Sequence, residues 1–270
     1  MFHNVWPFIG SLGRLVEVPF TASESVSRAD RYVESVTVEG VRRVQVRPAA
    51  PRSWSVDVNG ATAGELSALS AFTSGAWGPG PWHWVSVQAR QGNLLTPREA
   101  GLLDYEALQW WSPGGPVRDA EGAWSARSIS SSLTGAYGQL FNGIPVVAGG
   151  PVTWAADVQG DGRSALGLGF RDASGALIAG VYSDAVAPEV MGRVSMTVTV
   201  PDEAVSLHVG VRRGVTRVAR PQVTWTAGPV PYSAGHGCRA AVVDGFSEDL
   251  IVANRFGTYS SAGFTVMEVG

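Results

Sequence analysis

Lysine is missing from the chain: all 20 basic residues are arginine. The absence reads as a codon effect of a GC-rich genome, not as chemistry. Cysteine is nearly missing too. Cys238 stands alone, which excludes an internal disulfide and a thiolate zinc cluster. No apolar run approaches the ~18 residues that a membrane-spanning helix needs. No basic run occurs, and the net charge is −3, so neither nucleic acid nor an anionic membrane is an expected partner. The opening "MFHNVWPFIGSLGR" lacks a basic stretch followed by a continuous apolar core. It is not expected to be a signal peptide, and the chain is expected to fold in a cytoplasm.

Catalytic signatures are also lacking. His3, His83, His208 and His236 are scattered, with no H-E-x-x-H spacing, and no G-x-S-x-G elbow is present. Asp157 with Asp161, and Asp172 with Asp184, form carboxylate pairs in or beside turns, where aspartate accepts from backbone amides. His208 reads as a surface strand residue. The expectation is a protein that is not an enzyme and uses no cofactor. One metal candidate stands: Asp157 and Asp161 in "DVQGDG" are oxygen donors of the kind a structural calcium takes. Calcium needs six to eight oxygens, which only separated turns could assemble.

What is abundant is punctuation. Glycine (34), proline (16) and tryptophan (10) are all high, and 45% of the chain is hydrophobic. That is ample for real cores, and the glycine and proline breaks favour short strands. "SALGLGFRDASGALIAG" (164–180) tests this. A dinucleotide loop would need a third glycine where Asp172 stands and a helix behind it. Instead Leu166, Leu168 and Phe170 alternate with Gly167, Gly169 and Arg171, and "DASG" supplies turn chemistry. The stretch is a hairpin with one buried face.

Along the first hundred residues, "RYVESVTVEG", "VRRVQVRP" and "SWSVDVNG" alternate as strands. Thr62 with Glu65, and Thr96 with Glu99 behind Pro97, form capping boxes that predict two short helices. Around 105–123 the texture turns to Gly, Pro and Trp, read as a linker over 109–123. From Trp124 onward nearly everything fits strand–turn–strand at the spacing of a β-sandwich, and Trp154 and Trp225 share parity with its core valines. The tail holds three more strand-like runs, and ~35 residues could not bury a core unaided. The predicted division is therefore a β-rich domain of 1–108 plus 233–270, with a sandwich of 124–232 inserted. The fold class is mostly β.

"PVTWAADVQGDGRSALGLGFRDASGALI" and "RVSMTVTVPDEAVSLHVGV…VARPQVTWT" resemble the jelly-roll fold of carbohydrate-binding modules. The flanks "RPAAPRSWSVDV", "GNLLTPREAGL" and "GHGCRAAVVDGFSEDLIVA" resemble minor tail proteins of siphophages infecting high-GC Gram-positive bacteria. In size and layout the chain is similar to a distal tail protein. That resemblance implies a structural component of the virion's tail tip (baseplate), assembled in the host cytoplasm. It implies a homo-oligomeric ring, a hexamer, beside the tail tube and the tail-tip or tail-associated protein. The sandwich would face partners or a cell-surface glycan in host attachment. The other reading is a soluble, lectin-like protein with no virion role.

Candidate contacts follow. Tyr182, Asp184, Arg212 and Arg213 are the candidate glycan residues, although a solvated sheet face would carry the same types. "WGPGPWHW" packs Trp77, Trp82 and Trp84 into eight residues, either as a loop over its own core or as an intersubunit contact. Tryptophan enrichment at interfaces favours the contact, and Trp110 and Trp111 are read the same way.

Overall fold

A computed structural model describes residues 5–19, 21–29, 32–46, 51–103, 111–118, 124–131, 137–161, 166–184, 188–212, 214–254 and 257–269. The first elements in chain order are β1 (Phe8–Ser11), β2 (Arg14–Glu17), β3 (Thr21–Arg28), β4 (Tyr32–Val36), β5 (Arg42–Val46) and β6 (Arg52–Thr62). Helix α1 (Ala63–Thr73), β7 (Trp82–Val85), α2 (Val87–Gln91) and α3 (Pro97–Ala100) follow. Then come β8 (Trp111–Arg118), β9 (Trp124–Ser131), β10 (Tyr137–Pro145), β11 (Pro151–Gly160), β12 (Leu166–Arg171) and β13 (Leu177–Tyr182). The chain closes with β14 (Gly192–Thr199), β15 (Ser206–Arg212), β16 (Val215–Thr224), β17 (Cys238–Asn254) and β18 (Gly257–Glu268). The protein is mostly β, with short helices.

Two compact units divide the chain. Unit 1 takes Met1–Ile9, Val16–Trp84 and Cys238–Gly270, and unit 2 takes Gly10–Leu15 and Val85–Gly237. In unit 1 the seven-stranded sheet runs β2-β1-β7-β17-β18-β6-β3. The two C-terminal strands enter its middle: β18 pairs with β6 from Tyr259↔Thr62 to Met267↔Ser53. Alternation along β6 sends Trp54, Val56 and Val58 inward, each at most 2% exposed, and leaves Ser55, Asp57 and Asn59 in solvent. Thr62 starts α1 with a complete capping box to Glu65, and Leu66, Leu69 and Phe72 pack onto the same core. Arg52, buried at this sheet's rim, makes a two-pronged pair with Glu268 at 2.9 and 2.7 Å.

Unit 2 is a β-sandwich. One sheet runs β14-β11-β16-β9-β8 and the other β10-β15-β12-β13. The Trp154 indole N–H reaches from β11 to the Gly210 carbonyl on β15 at 3.1 Å, bonding one sheet to the other through the core. Residues 109–123, read as a linker, contain a strand: β8 pairs with β9 from Trp111↔Ser131 to Arg118↔Trp124. Pro113 and Pro116 are unusual residues for a strand. They are accommodated because β8 is the outermost strand and its register breaks between Pro113 and Pro116.

The boundary also falls at Trp84/Val85, not near 108. Asn93, fully buried, accepts from the amides of Val223 (3.1 Å) and Leu95 (3.2 Å) and donates to the carbonyls of Pro221 and Ser233. That side chain ties the α2–α3 segment to the sandwich. Segment 235–237 then lies flat on it, with Gly237 N–H donating to Leu95 O at 2.9 Å. A Cβ on Gly237 would sit 1.8 Å from the Leu94 carbonyl oxygen, and backbone cannot step aside as a side chain can. Gly237→Ala is expected to destabilise unit 2 by about 3 kcal/mol, read as a fall in the denaturant midpoint of the sandwich. An unchanged midpoint would show that the two segments do not pack this closely.

Candidate functional site

The "GLGF" stretch builds the floor of the candidate site. β12 and β13 form the antiparallel hairpin, with Gly167↔Tyr182 and Gly169↔Gly180 as direct partners. On its other side β12 meets β15 with Gly167↔Gly210 and Gly169↔His208. Directly opposed residues share a face. Leu166, Leu168 and Phe170 therefore point into the core, at 0–2% exposure, while four glycines from three strands line the other side. The turn is closed by Asp172, whose carboxylate accepts from the Ser174 and Ala176 amides at 2.9 Å. The hydrogen bond from the Ser174 hydroxyl, before those from the amides, holds its carboxyl below the usual range.

A floor without Cβ atoms lets large side chains lie down on it. The Tyr182 ring, 49% exposed, takes the Arg212 guanidinium over its face at 4.3 Å from the centroid. His208 lies over Gly169, where a Cβ would meet its Cε1 at 2.3 Å. Burial, helped by the Arg171 charge, pushes the His208 pKa down to about 4, so its imidazole is neutral at ordinary pH and the face draws its charge from arginine. Nothing lies within 4 Å of where a Gly180 Cβ would be. The result is a notch on the edge strand β13, floored by Gly180 and walled by Tyr182.

Of the predicted glycan residues, the fold brings Tyr182 and Arg212 together. Asp184 is exposed just beyond β13, and Arg213 lies outside the described residues. Two residues of this face escaped the sequence reading. His208, read as a surface residue, is 8% exposed, because a glycine opposite leaves room for its ring to fold down. Leu177, which shares the period of two with Ala179 and Val181 in the sequence, is 57% exposed. A register shift moves it opposite Arg171, onto the glycine face, where its Cδ1 lies 2.8 Å from a Gly169 Cβ position. A bulge changes parity by one, and no residue type announced it.

Asp157 does not belong to a calcium site. It is 2% exposed and its carboxylate is held by two guanidiniums, Arg193 at 3.2 Å and Arg220. Arg193 stands directly across from it on β14. Arg220 reaches it because the β11–β16 register shifts between Ala155 and Asp157, with Arg220 itself left-handed at φ +47°. The Tyr232 ring packs 5.7 and 5.8 Å from the two guanidinium carbons, and burial raises its hydroxyl pKa. Gln222 joins by accepting from Arg193 and donating to the carbonyls of Gly92 and Pro231. Asp161 sits apart, exposed, with its carboxylate where a Gly214 Cβ would be. Among the described residues, no three His, Cys, Asp or Glu side chains are grouped to hold a metal.

The tryptophan segment is also corrected. Trp84 is 0% and Trp82 9% exposed: two residues apart on β7, they share its inward face and oppose Cys238 and Ala241 of β17. Trp82 meets Phe72 edge-on at 5.2 Å, and Trp84 packs against Trp54 at 6.4 Å. They are core, not subunit contacts. Trp77, 41% exposed, stacks on Phe72 at 5.4 Å. Trp110 lies outside the described residues, and Trp111 opens β8. In the sandwich Trp154 is fully buried, whereas Trp225 is only half-buried beneath the Arg90 guanidinium, 5.3 Å from its ring.

No protein-family model matches the sequence, and no curated protein matches it. Among solved structures, the chain is similar to the enzymatically active domain of tailspike protein 4 of bacteriophage CBA120. Identity is 14%, covering 50% of this chain and 21% of that one, with a TM-score of 0.36; the match thus spans about a fifth of the tailspike chain. It is similar to the carbohydrate-binding module CBM6cm-2 of Cellvibrio mixtus lichenase 5A, solved with cellotriose, at 13% identity over 46% of this chain and 92% of that one, TM-score 0.31. A third is the CBM22-1 xylan-binding domain of Paenibacillus barcinonensis Xyn10C, at 14% identity over 52% of this chain and 99% of that one, TM-score 0.33. At such identities the likeness says nothing of what this chain binds.

Proposed function

We propose that this is a non-catalytic structural protein of a phage tail tip whose sandwich contacts glycans through the notch beside Tyr182. The observation that carries the glycan reading is the platform itself. A half-exposed aromatic ring is backed by a guanidinium, beside a glycine floor with open space above it. An aromatic face is electron-rich and receives the C–H face of a sugar ring, while an arginine supplies donors to its hydroxyls. A cleft of about 440 Å³ in unit 1, lined by Ser23, Asp57, Asn59, Ser247, Asp249 and Ser261, offers no aromatic face.

The virion role rests on the resemblance of the flanks to minor tail proteins, and on a unit 1 sheet that a simple lectin would not need. In this reading unit 1 assembles with copies of itself, a hexamer by the resemblance, and with neighbouring tail proteins. The sandwich is displayed towards the host surface. Titration of the full chain against an array of neutral oligosaccharides and cell-wall polysaccharide tests the glycan part. Tyr182→Ala is expected to weaken binding about tenfold, and Gly180→Phe to abolish it by filling the notch. Both variants should unfold like the parent. Binding that survives Gly180→Phe would move the site elsewhere.

A further inference from the structure

Around Gly180 the glycine face of the sandwich is laid out in cross-strand rows. One row holds Gly210, Gly167 and Tyr182, the next His208, Gly169 and Gly180, and the next Ser206, Arg171 and Leu177. Arg212 stands one row beyond Tyr182, so its guanidinium covers the ring from the side away from Gly180. Along the strand, the notch above Gly180 is therefore bounded by Tyr182 at one end and Leu177 at the other. Toward β15 it is closed. The His208 ring and the Leu177 side chain both lie over Gly169, 2.3 and 2.8 Å from where its Cβ would be. The open side is the edge of the sheet, where β13 is the outermost strand. Neighbouring rows lie ~7 Å apart along a strand, so the space over Gly180 is one row wide and one strand deep.

The backbone supplies polar groups at the mouth of this notch. Ser183 donates its amide to the Leu166 carbonyl at 3.0 Å. In an antiparallel pair that bond fixes the alternation: residues 179, 181 and 183 turn their N–H and C=O groups to β12, and Gly180 turns its own outward. Among the described residues, no strand pairs with that outer side. A donor and an acceptor thus stand together where the notch opens, and a hydroxyl both donates and accepts. We infer that the notch takes a single sugar ring, the terminal residue of a glycan chain or branch, entering over the sheet edge. Its apolar face lies on Tyr182 and its hydroxyls meet the Gly180 backbone. The inference rests on the glycan reading above and narrows its ligand. A run of internal residues needs a way out at both ends. Here Tyr182 and Leu177 block the path along the strand, and His208 blocks the path across the sheet. The chain behind the bound ring leaves past the edge and adds little contact.

The test is calorimetric titration of the full chain. The probes are methyl glycosides of glucose, galactose, mannose, rhamnose and N-acetylglucosamine, linear oligomers of each, and cell-wall polysaccharide. A sugar that binds is expected to bind as its methyl glycoside within about threefold of its longest oligomer. Replacing the terminal ring of that oligomer by another sugar should weaken binding about tenfold or more, and replacing the ring behind it should change nothing measurable. Gly180→Phe should abolish binding of glycoside and oligomer alike. Gly180→Ala puts a methyl on the floor where no atom lies within 4 Å, so it should fold like the parent and weaken both equally. Leu177→Ala opens one end of the notch and should let longer oligomers gain where the parent does not. An affinity that climbs with chain length in the parent, yet is lost in Gly180→Phe, overturns the single-ring site and leaves the glycan reading standing. Binding untouched by Gly180→Phe, or no binding of any probe, overturns both.

Discussion

Asp157→Ala is expected to cost unit 2 about 3–5 kcal/mol, the usual penalty when one partner of a buried ion pair is removed. The carboxylate is the only acid among Arg193, Arg220, Gln222 and Tyr232, and two guanidiniums converge on it. Without it, two cations would face each other beside a buried tyrosine. Burial, more than any other influence, already lowers the Arg193 pKa, and Asp157 is the first of the groups opposing it. The loss should be local, so amide exchange is the measurement: protection in β11, β14 and β16 should fall, while β6 and α1 keep theirs. A double variant with Arg193→Met and Arg220→Met, which removes the orphaned charges, should recover much of the loss. Full protection in Asp157→Ala alone would mean that the cluster is solvated and contributes little.

A chain ending at Gly237 is expected to keep a folded sandwich and lose unit 1. The missing strands are not peripheral. β18 lies between β17 and β6, and Ala241, Ala262, Phe264 and Val266 supply part of the core around Trp54 and Trp84. Without them Val56 and Val58 would face water, at ~1.5–3 kcal/mol for each such side chain, and α1 would lose two of the strands it packs against. Such a sum exceeds what a domain of this size holds in reserve. Exchange in β6 and α1 should approach the unfolded rate, with β11, β12 and β15 unaffected. Retained protection in β6 would show that 1–84 folds without its C-terminal strands.

Local rules made several features legible. Thr62 with Glu65, and Thr96 with Glu99, start helices through both halves of a capping box, because that chemistry is complete within four residues. α2 has no such box, only the Ser86 cap, and it was missed. The hairpin through Gly167 and Gly169 could be read from alternation and one turn, and the return of the tail followed from arithmetic on core size. Tyr182 and Arg212 were nominated separately, by type and parity alone.

Where strands are long or bulged, the sequence is ambiguous. Alternation alone would put Leu177 on the face of Ala179 and Val181, and one register shift turns it to the other. It marked Asp157 as a turn residue, and the two arginines that hold it are 36 and 63 positions away in the chain. It could not say that Trp82 and Trp84 face inward, since two tryptophans of one parity suit an interface as well as a core. The Gly, Pro and Trp texture of 109–123 read as a linker, where the sheet's edge tolerates a strand.

By itself, then, the sequence determined that the chain is β-rich, where two of its helices start, which strands alternate, and that the tail could not fold alone. Each of these depends on neighbours within a few residues or on total apolar content. Only the tertiary structure decided which tryptophans are interior, that Asp157 is neutralised by arginine, that a glycine floor lets Tyr182 and Arg212 stack, and which strand edges stay open. Those depend on which strand lies beside which, and register is set by packing across the whole sheet.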